Sequence, residues 1–132
     1  MTDRYTHSFS DNIRLAKSKV IKGVVTAATY NIIRLPKYAF VTDVWALIST
    51  ACSATDVTVG WIGNGEAAQT AGFLSDTIMD AGVTGLKRAQ HDTLVAFEGK
   101  YFSAASGAMT LTVGTAWTAG EVIILCQYQV IH

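Results

Sequence analysis

The 132-residue sequence predicts an all-β protein: an antiparallel β-sandwich, jelly-roll-like, with six to eight strands and little helix. Three observations lead there. Val, Ile, Thr and aromatic residues gather in short runs, several of which alternate apolar and polar positions with the period of two that half-buried strands show. Turn residues interrupt these runs about every 8 to 15 residues. Helical periodicity is almost absent, and no internal repeat or low-complexity tract is present.

Taken in order, the first segment (1–19) is polar. Arg4, Arg14, Lys17 and Lys19 mix with Asp3 and Asp11, and apolar residues are sparse (Tyr5, Phe9, Ile13, Leu15). It reads as an N-terminal arm, either frayed or ordered only on a neighbour. A short amphipathic helix over 11–19 is a further reading. A single sandwich domain is expected over 20–132.

Two long extended segments organise that domain. The first runs from Val20 to Leu35. Pro36, the only proline, lacks the N–H a ladder needs and marks the break. The second runs from Ala39 to Thr50. Strict alternation puts Val41, Asp43, Trp45 and Leu47 on one side, and Phe40, Thr42, Val44, Ala46 and Ile48 on the other. Both sides are apolar, whereas a half-exposed strand should alternate. Either other parts of the same chain cover the second side, or it meets another subunit.

Ser53–Asp56 reads as a turn, followed by a strand through Val57, Val59 and Trp61. Gly63-Asn64-Gly65-Glu66 is a turn signal, and the small polar stretch to Gly72 reads as a loop. Phe73–Ser75 suggests a brief strand. Asp76–Gly82 reads as one helical turn closed by glycine. Residues 83–93 form the most polar stretch of the second half and read as an exposed loop. A strand is expected over 94–104, with Val95, Phe97 and Tyr101 on one face. Another is expected over 108–113, with Met109, Leu111 and Val113 inward. In the last strand (121–131), Val122, Ile124, Cys126, Tyr128 and Val130 share one face. Ile123, Leu125, Gln127, Gln129 and Ile131 make the other face half apolar.

Composition narrows the function classes. Half of the residues are hydrophobic and only 15% are charged, against about 25% in an average globular domain. No apolar run approaches the ~18 residues of a membrane span. Apolar surface beyond what one core uses points to a subunit interface. Ten basic residues balance ten acidic ones. That argues against a nucleic-acid partner, whose binders carry a basic excess or stripe. Two cysteines make no disulfide framework, and Cys126 reads as a small core residue. The N-terminus carries no apolar signal core, so synthesis and folding in a cytoplasm are expected.

Reaction chemistry finds no support. Cys-x-x-Cys, His-Glu-x-x-His, Gly-x-Ser-x-Gly and P-loop motifs are all missing from the sequence, so an enzyme is not expected. His91-Asp92 offers a base with an orienting carboxylate but has no nucleophile beside it. Asp56, Glu66, Asp76 and Asp80 match no calcium-loop spacing, and no cofactor or metal is expected. Trp45, Trp61 and Trp117 lie in separate elements and read as core or interface anchors rather than a sugar platform.

The order of several short motifs carries a resemblance. Ile32-Ile33-Arg34-Leu35-Pro36-Lys37-Tyr38-Ala39 leads into Phe40–Ile48. Asp56-Val57-Thr58-Val59-Gly60-Trp61-Ile62-Gly63-Asn64-Gly65 and Ala71-Gly72-Phe73-Leu74 follow. Thr118-Ala119-Gly120-Glu121 opens the final strand. Over residues 20–132 this resembles small virion proteins of tailed bacteriophages, of the capsid decoration or cement kind. The resemblance implies a sandwich or jelly roll that assembles as a homotrimer on the outer capsid surface and contacts the major capsid protein. The residues expected at subunit contacts are Phe40, Val44, Ile48, Ile123, Leu125 and Ile131. The alternative function is a receptor- or glycan-binding tip of a tail fibre or spike, carried by residues 83–93 and the tryptophans.

Overall fold

A computed structural model describes residues 13–131. Among the described residues, ten strands are arranged in two antiparallel sheets. They are β1 (Ile13–Lys17), β2 (Ile21–Lys22), β3 (Ala28–Leu35), β4 (Ala39–Thr50), β5 (Val57–Gly63), β6 (Glu66–Leu74), β7 (Gly85–Arg88), β8 (Lys100–Tyr101), β9 (Gly107–Val113) and β10 (Glu121–Val130). One helical turn, α1 (Asp76–Met79), follows β6. The first sheet runs β1-β10-β4-β7, with β2 also on β10 and β8 also on β4. The second runs β3-β9-β5-β6.

The core lies between the sheets. From the first come Val41, Val44, Ala46, Ile48, Val122, Ile124 and Cys126; from the second come Ile33, Leu35, Val57, Val59, Trp61, Met109, Leu111 and Val113. Each fully buried aliphatic side chain contributes about 1.5–3 kcal/mol through its removal from water. Trp117 is buried between the ends of the sheets, where its backbone bridges to Val25.

Several local expectations change. Residues 13–17 form a strand on β10 rather than the helix considered for 11–19; residues 1–12 and 132 lie outside the described part. The presumed loop 67–72 belongs to β6, which pairs with β5. The strand expected over 94–104 shrinks to Lys100–Tyr101. Asp92 is the reason: its buried carboxylate accepts the N–H groups of Leu94 (3.0 Å) and Val95 (3.2 Å) through one oxygen and that of Ser75 (2.6 Å) through the other. An acceptor two and three residues upstream bends the backbone into a turn and withdraws those donors from any ladder. The polar stretch 83–93 contains β7 and a 3-10 turn. The helical turn is present, but Asp80, at φ 39°, closes it rather than Gly82.

Both cysteines are free and buried. Burial raises both thiols, Cys126 to about 12 from 9.0. A folded-state value above the unfolded one means that stability is intact below pH 9 and falls as pH rises toward 12. The neutral, shielded thiols are poor nucleophiles. A thiol reagent at pH 8 is therefore expected to leave both cysteines unmodified in the folded protein and to label both in denaturant, as read by intact mass.

Candidate functional site

The two sheets differ in what they turn outward. Residues paired directly across an antiparallel ladder share a face. On the second sheet the outward row reads Thr29, Thr112 and Thr58, then Asn31, Thr110 and Gly60, then Arg34, Ala108 and Ile62. Thr29 and Thr112 hydrogen-bond through their hydroxyls at 3.0 Å. The Thr29, Thr112 and Thr58 row and the Arg34, Ala108 and Ile62 row are open to water, as the outward side of a half-buried sheet should be, whereas Thr110 and Gly60 between them are buried, with the Gln69–Thr70 backbone of β6 lying over Gly60.

The first sheet breaks that rule. Its outward rows read Leu86, Leu47 and Ile123; then Arg88, Trp45, Leu125 and Lys17; then Asp43, Gln127 and Leu15; then Tyr101, Phe40, Gln129 and Ile13. Apolar residues from five strands thus share one face, crossed by the polar row of Asp43 and Gln127. Leu15 is 68% exposed and Leu86 61%, although they sit at opposite edges of the sheet. Phe40 and Tyr101 pack edge to face at 6.2 Å and, with Ile131, line a hollow of about 150 Å³. The Tyr101 hydroxyl donates to the Ile131 carbonyl, which ties the chain end to this corner.

One charge pair is set into the face, its Asp43 buried and its Arg88 partly exposed. Asp43 accepts from Arg88 through Oδ2 (Nη2 at 2.6 Å, Nε at 3.0 Å), while its Oδ1 accepts the Val44 N–H at 2.9 Å. The Arg88 guanidinium stands 5.7 Å from the centre of the Trp45 ring. Its hydrogen bonds to Asp43 raise its pKa above the usual value. The pair satisfies its own charges and leaves the surrounding face apolar.

The expected contact residues divide. Phe40, Ile123 and Leu125 lie on this face, and Ile131 lies at its corner, 41% exposed. Val44 and Ile48 do not: both are inside the core, at 0% and 1% exposure, and have no surface for a partner. The cause is a β-bulge. Between Val41, opposite Tyr128, and Asp43, opposite Gln127, Thr42 is an extra residue, and the strand's facing flips there. Downstream of it, Trp45 and Leu47 point outward in place of Val44 and Ile48. The adjacent polar pair Thr42-Asp43, interrupting both apolar faces, was the available signal. Leu15 and Ile13 escaped because their segment is polar overall, and Leu86 because it stands alone in a polar run.

Other candidate constellations do not assemble. Trp45 is on the outward face, Trp61 is in the inner layer of the second sheet, and Trp117 is fully buried, so they share no platform. Asp56 is bound by the backbone and hydroxyl of Thr115, and Glu66 pairs with Lys100. Among the described residues no three His, Cys, Asp or Glu side chains are grouped to hold a metal ion. Asp92, beside His91, is occupied by three backbone N–H groups. Among the described residues no helix is long and apolar enough to cross a membrane.

No protein-family model and no curated protein matches the chain. Two solved structures do share its fold. A chain of the acidic stable capsid structure of Helicobacter pylori bacteriophage KHP30 aligns with a TM-score of 0.62 at 17% identity, covering 89% of this chain and 87% of that one. A chain of the capsid asymmetric unit of cyanophage Pam1 aligns with a TM-score of 0.61 at 18% identity, covering 91% and 86%. The two-sheet fold described above is therefore one that also occurs in chains of two phage capsid structures.

Proposed function

We propose that this chain is a virion structural protein of a tailed phage: a homo-oligomeric decoration, or cement, protein that stabilises the head. The observation that carries this reading is the apolar outward face of the first sheet, built from Leu15, Phe40, Trp45, Leu47, Leu86, Ile123 and Leu125. A face that wide on a chain with balanced charge is suited to contact with protein. The likeness of the fold to chains of two phage capsid structures supplies the setting.

The mechanism is additive burial. A standard interface buries about 1,600 Å² in total. Many copies, each bridging neighbouring capsid subunits, resist internal DNA pressure through simultaneous engagement, with no single strong contact needed. The partners are further copies of the chain, as a trimer, and the major capsid protein; the location is the outer surface of the particle. A fibre-tip role has less support, because the tryptophans that would stack a sugar are dispersed.

Immunogold labelling and cryo-electron microscopy of the source particle test this. The expected result is regular density of this fold over the capsid shell. Label confined to tail fibres contradicts it.

A further inference from the structure

The turn between β5 and β6 carries a side-chain cluster that the capsid reading does not use. It sits where β8 of the first sheet meets that turn. Asn64, in Gly63-Asn64-Gly65-Glu66, takes φ 59°, a conformation that asparagine tolerates better than most residues. It is only 6% exposed, and its carboxamide is fully engaged. Oδ1 accepts the N–H groups of Ala104 (2.8 Å) and Ala105 (3.4 Å). Nδ2 donates to the Tyr101 carbonyl (3.3 Å) and to Oε2 of Glu66 (3.1 Å).

The same Glu66 oxygen accepts from the Lys100 ammonium at 2.5 Å. One carboxylate oxygen therefore touches an amine and the nitrogen of a carboxamide at once. Lys100 Nζ also stands 3.9 Å from the centre of the Trp61 ring, and Trp61 packs edge to face on Phe102. This aromatic wall covers one side of the amine, and Glu66, 47% exposed, is the open side. An anchor for the turn needs the bonds to Ala104, Ala105 and Tyr101. It does not need a lysine and a carboxylate beside the amide.

Each part matches a role in acyl transfer. Two backbone N–H groups on one carbonyl oxygen polarise it and stabilise the negative charge that develops there. A primary amine is the nucleophile. A carboxylate in reach of both nitrogens moves the protons. Hydrogen bonds to an amide run close to its plane, so these four do not themselves block the faces from which an amine adds. The flexible stem of Lys100 supplies the remaining movement.

We propose that Lys100 and Asn64 join in an isopeptide bond, with Glu66 as the proton carrier and ammonia as the leaving group. Glu66 first takes a proton from the Lys100 ammonium. The freed Nζ lone pair bonds to Cγ of Asn64, and the carbonyl π pair moves onto Oδ1, between the Ala104 and Ala105 N–H groups. Glu66 gives its proton to Nδ2 and takes the surplus one from Nζ. The Cγ–Nδ2 bond then breaks, the carbonyl reforms, and ammonia leaves and accepts the proton held by Glu66. The balance requires no oxidant and no cofactor. Hydrogen bonds from Lys100 and Asn64 keep the Glu66 carboxyl below its ordinary pKa, so the resting cluster is an ion pair and the first transfer is uphill. The reaction is slow and happens once per chain. The bond ties β8 of the first sheet to the β5–β6 turn of the second and staples the sandwich within one copy. It goes beyond the proposed function and stands without it.

The test reads the intact mass of the full-length chain at purification and after several days near neutral pH. A fall by the mass of one ammonia is expected, and tryptic digestion should release a peptide in which Asn64 is joined to Lys100. Lys100→Arg keeps the charge beside Glu66 and should show no such fall. Glu66→Gln should slow it by about a hundredfold. Wild type held in urea should form no joined peptide, because the cluster is dispersed. Circular dichroism checks the fold of the variants, and the wild-type readings stand even where a variant misfolds. No ammonia loss by the folded wild type overturns the proposal. So does a loss that persists in Lys100→Arg, which would be ring closure of Asn64 on the Gly65 N–H, and so does a joined mass of two chains.

Discussion

The double substitution Ile123→Asp with Leu125→Asp is expected to turn an assembled protein into a soluble monomer with an unchanged fold. Both side chains point outward on β10, beside Leu47 and Trp45. Burying such a side chain against a partner is worth about 1.5–3 kcal/mol, and that term is lost twice. The incoming carboxylates then have to be desolvated without a partner, which costs several kcal/mol for each ion. An increase of at least a thousandfold in the dissociation constant, about 4 kcal/mol, follows. Within one copy, by contrast, the new side chains meet water, and the cost to the strand is about 1 kcal/mol. Analytical ultracentrifugation reads the first effect and circular dichroism the second. Retention of the wild-type sedimentation coefficient would show that this face lies outside the contact.

Substituting Gly60 by alanine is expected to be the most damaging small change in the fold. Gly60 is on β5, and a Cβ there would lie 1.8 Å from the carbonyl oxygen of Gln69 and 2.5 Å from the carbonyl carbon of Thr70. Those atoms are backbone, and β6 pairs Val59 with Leu74 but Trp61 with Gln69, so the intervening residues cross directly over Gly60. No flexible side chain can give way. The cost lies at or beyond the upper end of the ~1–3 kcal/mol typical of overpacking. A urea midpoint lowered accordingly, with faster hydrogen exchange across Glu66–Leu74, is the expected signature. An unchanged midpoint would mean that β6 takes another path.

The strands legible in the sequence are those whose alternation is enforced by burial on one side. β5 and β9 follow the expected pattern, with Val57, Val59, Trp61, Met109, Leu111 and Val113 inward. β10 likewise divides as its sequence suggests. Of β6 only the buried end, Phe73–Leu74, is legible as a strand; Glu66 to Thr70 is exposed, so no core contact shaped its composition, and backbone pairing with β5 alone makes it a strand. Residues 94–99 misled in the other direction. Val95 and Phe97 have the composition of a strand, but the Asp92 carboxylate claims the local N–H groups, and Ala96 adopts φ 54°.

The apolar outward face of the first sheet was half legible for a related reason. Regions with strict period two, such as Ile123 and Leu125, could be assigned to a side. Past the bulge at Thr42 the same counting pointed inward, to Val44 and Ile48. A single extra residue reverses every later side chain on a strand. The face also draws on β1, β7 and β8, whose residues come together only once the sheet order is known.

The mass of the wild-type chain in solution bears most directly on what the outward face of the first sheet does. Light scattering coupled to size exclusion at micromolar concentration should return a small integer multiple of 14.1 kDa, three being the number the resemblance implies. A single species at 14.1 kDa, persisting as concentration rises, would contradict it.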